Sequence, residues 1–285
     1  MSPAAAGLAA TFIVAAGLAA AGRAARAEEA PPMEGTVRSA DGVTIHYRTT
    51  GQGSPPLLFV HGWSCDGGIW DRQVETFSRR HRVITIDLAG HGRSEAGRSR
   101  YTVPAWAEDV RAVALHLDLN GLVLVGHSLG GYVAVESARL MPERIAAVVP
   151  VDSILDAEWQ PEPDRLEAFF RDFDADFVKA ATGFVRDMFR EDADPDLVER
   201  MVARMTAAPP EVAVGGLRSV FAYDLTAALP QVHAPIRAIN ADRYPTKIEV
   251  NRRYAPRFEA VIMEGVGHFP MLEKPRDFNR LLRKA

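Results

Sequence analysis

The sequence predicts an α/β protein with a mainly parallel, doubly wound sheet and a block of helices inserted after its sixth strand. Three observations carry this expectation. Short apolar runs that read as buried strands alternate with segments of helical spacing, the pattern of a parallel sheet covered on both faces. The alternation stops at Ile154 and resumes only after about Pro230, across a stretch rich in Asp, Glu, Arg and Phe. Between these, Leu122 to Val125 breaks into Gly126-His127-Ser128-Leu129-Gly130 and passes into a helical run, Tyr132 to Leu140, which Met141-Pro142 stops.

Taken in order, Thr36-Val37-Arg38 and Val43 to Tyr47 flank Asp41-Gly42, a hairpin signal. Pro55 to Val60 reads as a buried strand ending at His61-Gly62-Trp63, Trp70 to Phe77 as a helix, and Arg82 to Leu88 as the next strand. Pro104 to Leu117 has helical spacing in Trp106, Val110, Val113 and Leu117, and Ile145 to Val151 is the sixth strand. In the insertion, Leu166, Phe169, Phe170, Phe173 and Phe177 form a helical stripe whose simplest role is packing, with some rings available to line a pocket. Ile236 to Asn240 and Ala260 to Met263 restore the strands, and Arg276 to Arg283 closes as a helix.

Composition narrows the function. The 285 residues are 47% hydrophobic and 25% charged with a net charge of −4, so an ordinary globular core is expected and no basic stripe suits nucleic acid. Cys65 is the single cysteine, which excludes an intrachain disulfide; with no histidine assigned to activate it, it reads as an inert small residue. Ala4 to Gly22 is Ala-rich and apolar, and Ala25-Arg26-Ala27 offers an A-x-A cleavage site, so residues 1–27 are expected to be a secretory signal peptide cleaved after Ala27. Export to the periplasm or medium follows, without stable membrane insertion after cleavage. A retained anchor is the competing reading, because the run approaches the ~18 residues of a span and lacks an early Lys or Arg. Residues 28–35 then form a linker, 36–153 the first part of the core, 154–230 the helical insertion and 231–285 the rest of the core.

The strand, sharp turn and helix around Gly126-His127-Ser128-Leu129-Gly130 is the context in which G-x-S-x-G forms a nucleophile elbow. Ser128 Oγ would then stand at a helix N-terminus, where unpaired N–H groups and the helix dipole favour negative charge. Together with His61-Gly62-Trp63, Asp87-Leu88-Ala89-Gly90-His91-Gly92-Arg93-Ser94 and Gly267-His268-Phe269-Pro270, the elbow resembles the α/β-hydrolase family from about Thr36 to the C-terminus. The resemblance implies that the insertion is a helical cap after the sixth strand.

The resemblance also implies a triad. His268 lies in the loop where the family carries its catalytic base. The orienting acid has two candidates. In most of the family it is the Asp of a Gly-x-x-Asp segment after the seventh strand; here those positions fall at Ala241 and Tyr244, and Asp242 comes two residues early. Haloalkane-dehalogenase-like members carry it at the end of the sixth strand, where this chain has Asp152. The oxyanion donors implied are the backbone N–H groups of Leu129 and Trp63; the Trp63 side chain walls a pocket or packs. Asp87 and Ser94 read as caps of a glycine turn, Asp224 as a loop cap, and His46, His81, His116 and His233 as surface or packing residues. No histidine pair has metal-ligand spacing with a carboxylate, so no metal is expected, and no cofactor is implied.

The expected activity is hydrolysis of a small-molecule carboxylic ester through an acyl-enzyme. Lactone hydrolysis, C–C bond hydrolysis and cofactor-free perhydrolysis use the same triad, and a ligand-binding module that retains the triad is a further alternative. Ser at the elbow, rather than Asp, argues against dehalogenase and epoxide hydrolase chemistry. The sequence does not fix an oligomeric state.

Overall fold

The computed structural model describes residues 32–285, so the expected signal segment and its cleavage site lie outside the described residues. Asp41-Gly42 turns the chain between β1 (Met33–Arg38) and β2 (Thr44–Thr50), with Gly42 at φ 86°. β3 (Leu57–Val60) and β4 (Val83–Ile86) follow, then β5 (Leu122–His127), β6 (Ile145–Val151), β7 (Ile236–Ala241) and β8 (Phe258–Met263). The eight strands form one sheet in the order β1-β2-β4-β3-β5-β6-β7-β8. β2 pairs antiparallel with both β1 and β4, and every other pairing is parallel. All residues of β3 and β4 are buried, which explains their unbroken apolar runs.

Register puts the carboxyl ends of the central strands side by side. Val60 of β3 pairs with Gly126 of β5, His127 of β5 with Val151 of β6, and Val151 with Ile239 of β7. Ligand sites in open α/β sheets form at such strand ends. Four helices cover the sheet: α1 (Asp71–Phe77), α2 (Val103–His116), α3 (Leu129–Leu140) and, at the end of the chain, α11 (Pro275–Leu282); α2 packs on α3 and α1 on α11.

Between β6 and β7 the chain is helical: α4 (Pro163–Ala175), α5 (Phe177–Asp187), α6 (Pro195–Thr206), α7 (Pro210–Phe221) and α8 (Leu225–Ala228). The Asp and Pro content of this cap has a local cause. Pro163, Pro195 and Pro210 occupy first helical positions, while Asp176, Asp194 and Asp224 accept backbone N–H groups as N-caps. The expected Phe stripe is split, because Asp176 ends α4 and caps α5, leaving Phe177 on the second helix.

Two short helices have no counterpart in the sequence reading, α9 (Ile248–Tyr254) and α10 (Pro270–Glu273). In α9 only Asn251 is buried, so there was no apolar stripe to read. The helix expected from Tyr132 starts at Leu129, directly after the elbow serine. Among the described residues no single helix is long and apolar enough to cross a membrane.

A buried ion cluster ties the hairpin to the core. Asp109 on α2 is fully buried and accepts from Ser39 Oγ, from the Ala89 N–H and from the Arg98 guanidinium. Arg98 also pairs with Asp41 at the hairpin turn. Removing one partner of a buried pair strands the other charge, so Asp109→Ala should lower unfolding free energy by about 3–5 kcal/mol in urea titrations. A loss below ~1 kcal/mol, the value of an exposed pair, would contradict this account of the cluster.

Candidate active site

Ser128 has φ 51° and ψ −119°, a backbone conformation that L-residues adopt only when surrounding structure imposes it. The constraints are visible. Its N–H donates to Val151 O at 2.9 Å, and its carbonyl accepts from Gly131 N at 2.9 Å and from Ser153 Oγ at 2.8 Å. Strand and helix pass so closely that a Cβ on Gly126 would lie 2.1 Å from Gly130 O, and one on Gly130 would lie 2.5 Å from both Val60 O and His61 O. Those two glycines allow the turn.

Asp152 follows β6 and is itself at φ 43°. Its Oδ1 accepts from Ala241 N at 2.9 Å and its Oδ2 lies 2.5 Å from His268 Nδ1. A carboxylate accepts only, so Nδ1 carries a proton, and in the neutral imidazole Nε2 keeps its lone pair. Asp152 is buried, whereas the His268 side chain keeps 20% exposure, open enough to meet a ligand. The next residue, Ser153, makes the bond to Ser128 O, and its N–H donates to Asn240 Oδ1 at 3.1 Å.

The loop carrying His268 is fastened from three sides. Glu273 accepts from Gly267 N at 2.7 Å and from Phe269 N at 3.0 Å. His268 N donates to Met188 O, at the end of cap helix α5, at 2.8 Å, and Phe269 stacks on Phe189 at 5.1 Å. The elbow holds the third side, since His127 Nε2 lies 2.7 Å from His268 O. Burial, and then the neighbouring His268 ring, push the His127 pKa well below the ordinary histidine value. His127 is therefore neutral and donates through Nε2.

Asp242, the other acid candidate, is not brought to the imidazole. Its Oδ2 accepts from Gly265 N at 3.1 Å and its Oδ1 faces Arg190 at 3.6 Å. The Gly265 N–H leads the contacts that hold its carboxyl below the usual range. Asp242 thus braces the start of the histidine loop, and a shift of two residues from the common position is enough to turn it outward.

Leu129 opens α3, where its N–H lacks an intrahelical partner and lies at the positive end of the dipole. Trp63 reaches the elbow because β3 pairs with β5. His61, fully buried, sets that loop: its Nδ1 lies 2.8 Å from Gly62 O, and its Nε2 accepts from Leu88 N at 3.1 Å. Trp63 is buried, its Nε1 donates to Ala213 O on cap helix α7 at 2.8 Å, and its ring meets Phe173 and Phe184.

The remaining candidates have structural partners. Asp87 accepts from Gly67 N and Arg93 N and contacts His46, Ser94 Oγ bonds Asp87 O, and Asp224 caps α8. His46 is buried, while His116 and His233 lie at the surface. Cys65 is buried, and burial pushes its thiol pKa up. Among the described residues no cluster of three His, Cys, Asp or Glu side chains is placed to hold a metal. Glu273, Ser153, Asn240 and Met188 escaped the sequence reading because each is tied to the site through a bond in which at least one partner is a backbone group, which leaves no motif.

A strained serine at a strand–helix turn, with a carboxylate–imidazole pair held in the loops after β6 and β8, is the site architecture of α/β hydrolases. The sequence profile described as the alpha/beta hydrolase family matches residues 57–281, and the chain belongs to this family. It is 28% identical over 253 residues to a pimeloyl-[acyl-carrier protein] methyl ester esterase of Sodalis glossinidius, covering 84% of this chain and 96% of that protein. Among solved structures, an N-acyl homoserine lactone degrading enzyme superposes with TM-score 0.76 at 29% identity, covering 88% of this chain and 99% of the other. A thermophilic esterase from Thermogutta terrifontis does so with TM-score 0.76 at 25% identity, covering 88% and 97%.

The buried histidines predict how the fold meets acid. Burial lowers the pKa of His61, His91 and His127, that of His91 to about 3. The unfolded chain binds these protons below its ordinary value near 6.5 while the native state refuses them. Stability is therefore complete above pH ~6.5 and falls as pH drops below it, by up to about 1.4 kcal/mol per pH unit for each histidine. The lowered carboxylates, Asp87 among them, add their loss only below about pH 4. Urea unfolding at pH 7.5 and pH 5.0 should show this decline, and equal stability at the two would contradict it.

Proposed function

We propose that this α/β hydrolase cleaves a carboxylic ester through an acyl-enzyme, with Ser128 as nucleophile, His268 as base and Asp152 as the orienting acid. The observation that carries the reading is the 2.5 Å contact between Asp152 Oδ2 and His268 Nδ1, in a loop that His127 fastens to the elbow. It fixes the one tautomer in which Nε2 can accept a proton.

The steps follow from that tautomer. Ser128 Oγ attacks the acyl carbonyl as Nε2 takes its proton, and the oxyanion forms against the Leu129 and Trp63 N–H groups. The tetrahedral adduct collapses, the imidazolium passes its proton to the leaving alkoxide, and the acyl group stays on Ser128. Water, deprotonated by the same Nε2, then attacks the acyl carbonyl; the carboxylic acid leaves and Ser128 regains its proton. Asp152 stabilises the imidazolium throughout. The reading needs no metal or cofactor.

The esterase relatives support it, and the likeness to the lactone-degrading enzyme supports a second reading in which the ester is cyclic. In a lactone the leaving alkoxide remains tethered to the acyl group, and the proton transfers are unchanged. We also propose that the chain is exported after cleavage following Ala27, which N-terminal sequencing of secreted protein tests directly.

Stopped-flow hydrolysis of p-nitrophenyl acetate and octanoate tests the main reading. Each ester that turns over should show a p-nitrophenol burst where deacylation limits, and Ser128→Ala should lower kcat on the order of 10⁶-fold. Turnover that survives Ser128→Ala would remove the serine from the mechanism.

A further inference from the structure

We propose a second binding site, for an amphiphile with a phosphate head, in a cleft at the amino ends of the strands, opposite the reaction centre. The cleft has a volume of about 1050 Å³ and lies between α1 and α11, over the starts of β3, β5 and β6. Ser128, Asp152 and His268 follow the carboxyl ends of their strands. None of the residues lining the cleft belongs to that centre or to the cap.

The floor is a row of apolar side chains that the two helices leave incompletely covered. Leu57 pairs in register with Val123, and Val123 with Ala147, so the three lie side by side across β3, β5 and β6. Leu57 and Ala147 keep 6% and 8% exposure and Val123 is half-buried. Leu58, Leu124 and Val148, the next residues along each strand, point to the other face and are at 0%. The sheet is thus sealed on one face and left open on the other, at its amino end.

The rim carries the charge. Arg72, Arg79 and Arg80 come from α1 and the turn after it, and Arg276 and Arg283 from α11 and its end. All five are exposed, and none forms an ion pair among the described residues, although most arginines elsewhere in them do. A sixth, Arg237, is already paired with Glu259. Among the described residues Glu75 is the one acidic side chain on the cleft. Five guanidiniums against that carboxylate leave four positive charges uncompensated, in a chain whose net charge is −4. Like charges gathered around one concavity repel each other and raise the potential inside it, which an anion relieves.

The walls are braced against each other. Asn279 Nδ2 donates to Thr76 Oγ1 at 2.9 Å and its Oδ1 accepts from Gln73 Nε2 at 2.9 Å, which pins α11 to α1. The Arg283 guanidinium lies over the Phe77 ring at 5.4 Å and bridges the same two helices. Little ordering is then left to a ligand. Its chemistry follows from floor and rim together. Guanidinium forks match phosphate oxygens in pairs, and a phosphate monoester brings about two charges where a carboxylate brings one. The cleft is the size of a site for a drug-sized molecule, and its floor gives a bare ion nothing to touch. A hydrocarbon chain over Leu57, Val123 and Ala147, with its phosphate among the arginines, uses both. A free alkyl phosphate and a phosphatidic acid in a membrane offer the same chemistry.

Isothermal titration of the full chain with decyl phosphate below its micellar concentration is the test. One molecule per chain should bind, at least about tenfold more tightly than inorganic phosphate or decanol, with an affinity that falls between about 50 and 300 mM NaCl. The double charge reversal Arg79→Glu/Arg276→Glu should weaken binding by more than about tenfold and Arg79→Gln/Arg276→Gln by less, both variants keeping the parental unfolding transition. Flotation with phosphatidylcholine vesicles containing phosphatidic acid separates the sources. Flotation that the charge reversal removes assigns the site to a membrane lipid, and titration binding without flotation assigns it to a free ligand. Equal affinity for inorganic phosphate and decyl phosphate, no saturable binding in either assay, or binding unchanged in the charge-reversed variant overturns the proposal. Ester turnover does not enter these readouts, so this site stands or falls apart from the hydrolase reading.

Discussion

The constraint on which the site depends is the close passage of β5 and α3 at Ser128. A non-glycine residue at φ 51° and ψ −119° costs on the order of 1–3 kcal/mol and persists only where its neighbours leave no alternative. Here the amide of Ser128 is held by β6 and its carbonyl by Gly131 and Ser153, while Gly126 and Gly130 permit a separation that any Cβ would forbid. The same passage leaves the Leu129 N–H unpartnered at a helix start.

From that turn the rest of the centre is positioned by short links. Ser153, bonded to the elbow, is the residue after Asp152; His127, preceding Ser128, holds the carbonyl of His268. Asp152 is therefore one residue removed from a bond to Ser128, and His268 is bonded through its own carbonyl to the residue before Ser128. The strain extends along this path, since Asp152 and Ile154 also have positive φ, and for a β-branched residue such as Ile154 that is uncommon. The cap takes part as well: Met188 O fixes His268 N, and Ala213 O holds the Trp63 indole. Cap and core share the residues that set the geometry.

Much of this was legible in the sequence for physical reasons. The central parallel strands are buried on both faces and read as apolar runs, and the elbow needs glycines at fixed offsets. The choice between Asp152 and Asp242 stayed open because both follow strands at the same edge of the sheet. Only the fold shows that Gly265 N–H and Arg190 occupy Asp242 while Ala241 N–H and His268 meet Asp152. Helix α9 was hidden by its single buried residue. The Phe stripe was legible as a stripe, but its division between α4 and α5 at Asp176 was not.

The central claim is that Asp152, and not Asp242, orients His268. It is tested most directly by kcat of Asp152→Asn and Asp242→Asn measured side by side on one ester. Asn at position 152 can present an N–H where the carboxylate accepted one, so the account predicts a loss on the order of 10⁴-fold for Asp152→Asn. For Asp242→Asn it predicts a rate within a few-fold of the parent, because that side chain braces a loop through a single accepted hydrogen bond. A collapse in Asp242→Asn with near-parental turnover in Asp152→Asn would contradict the account.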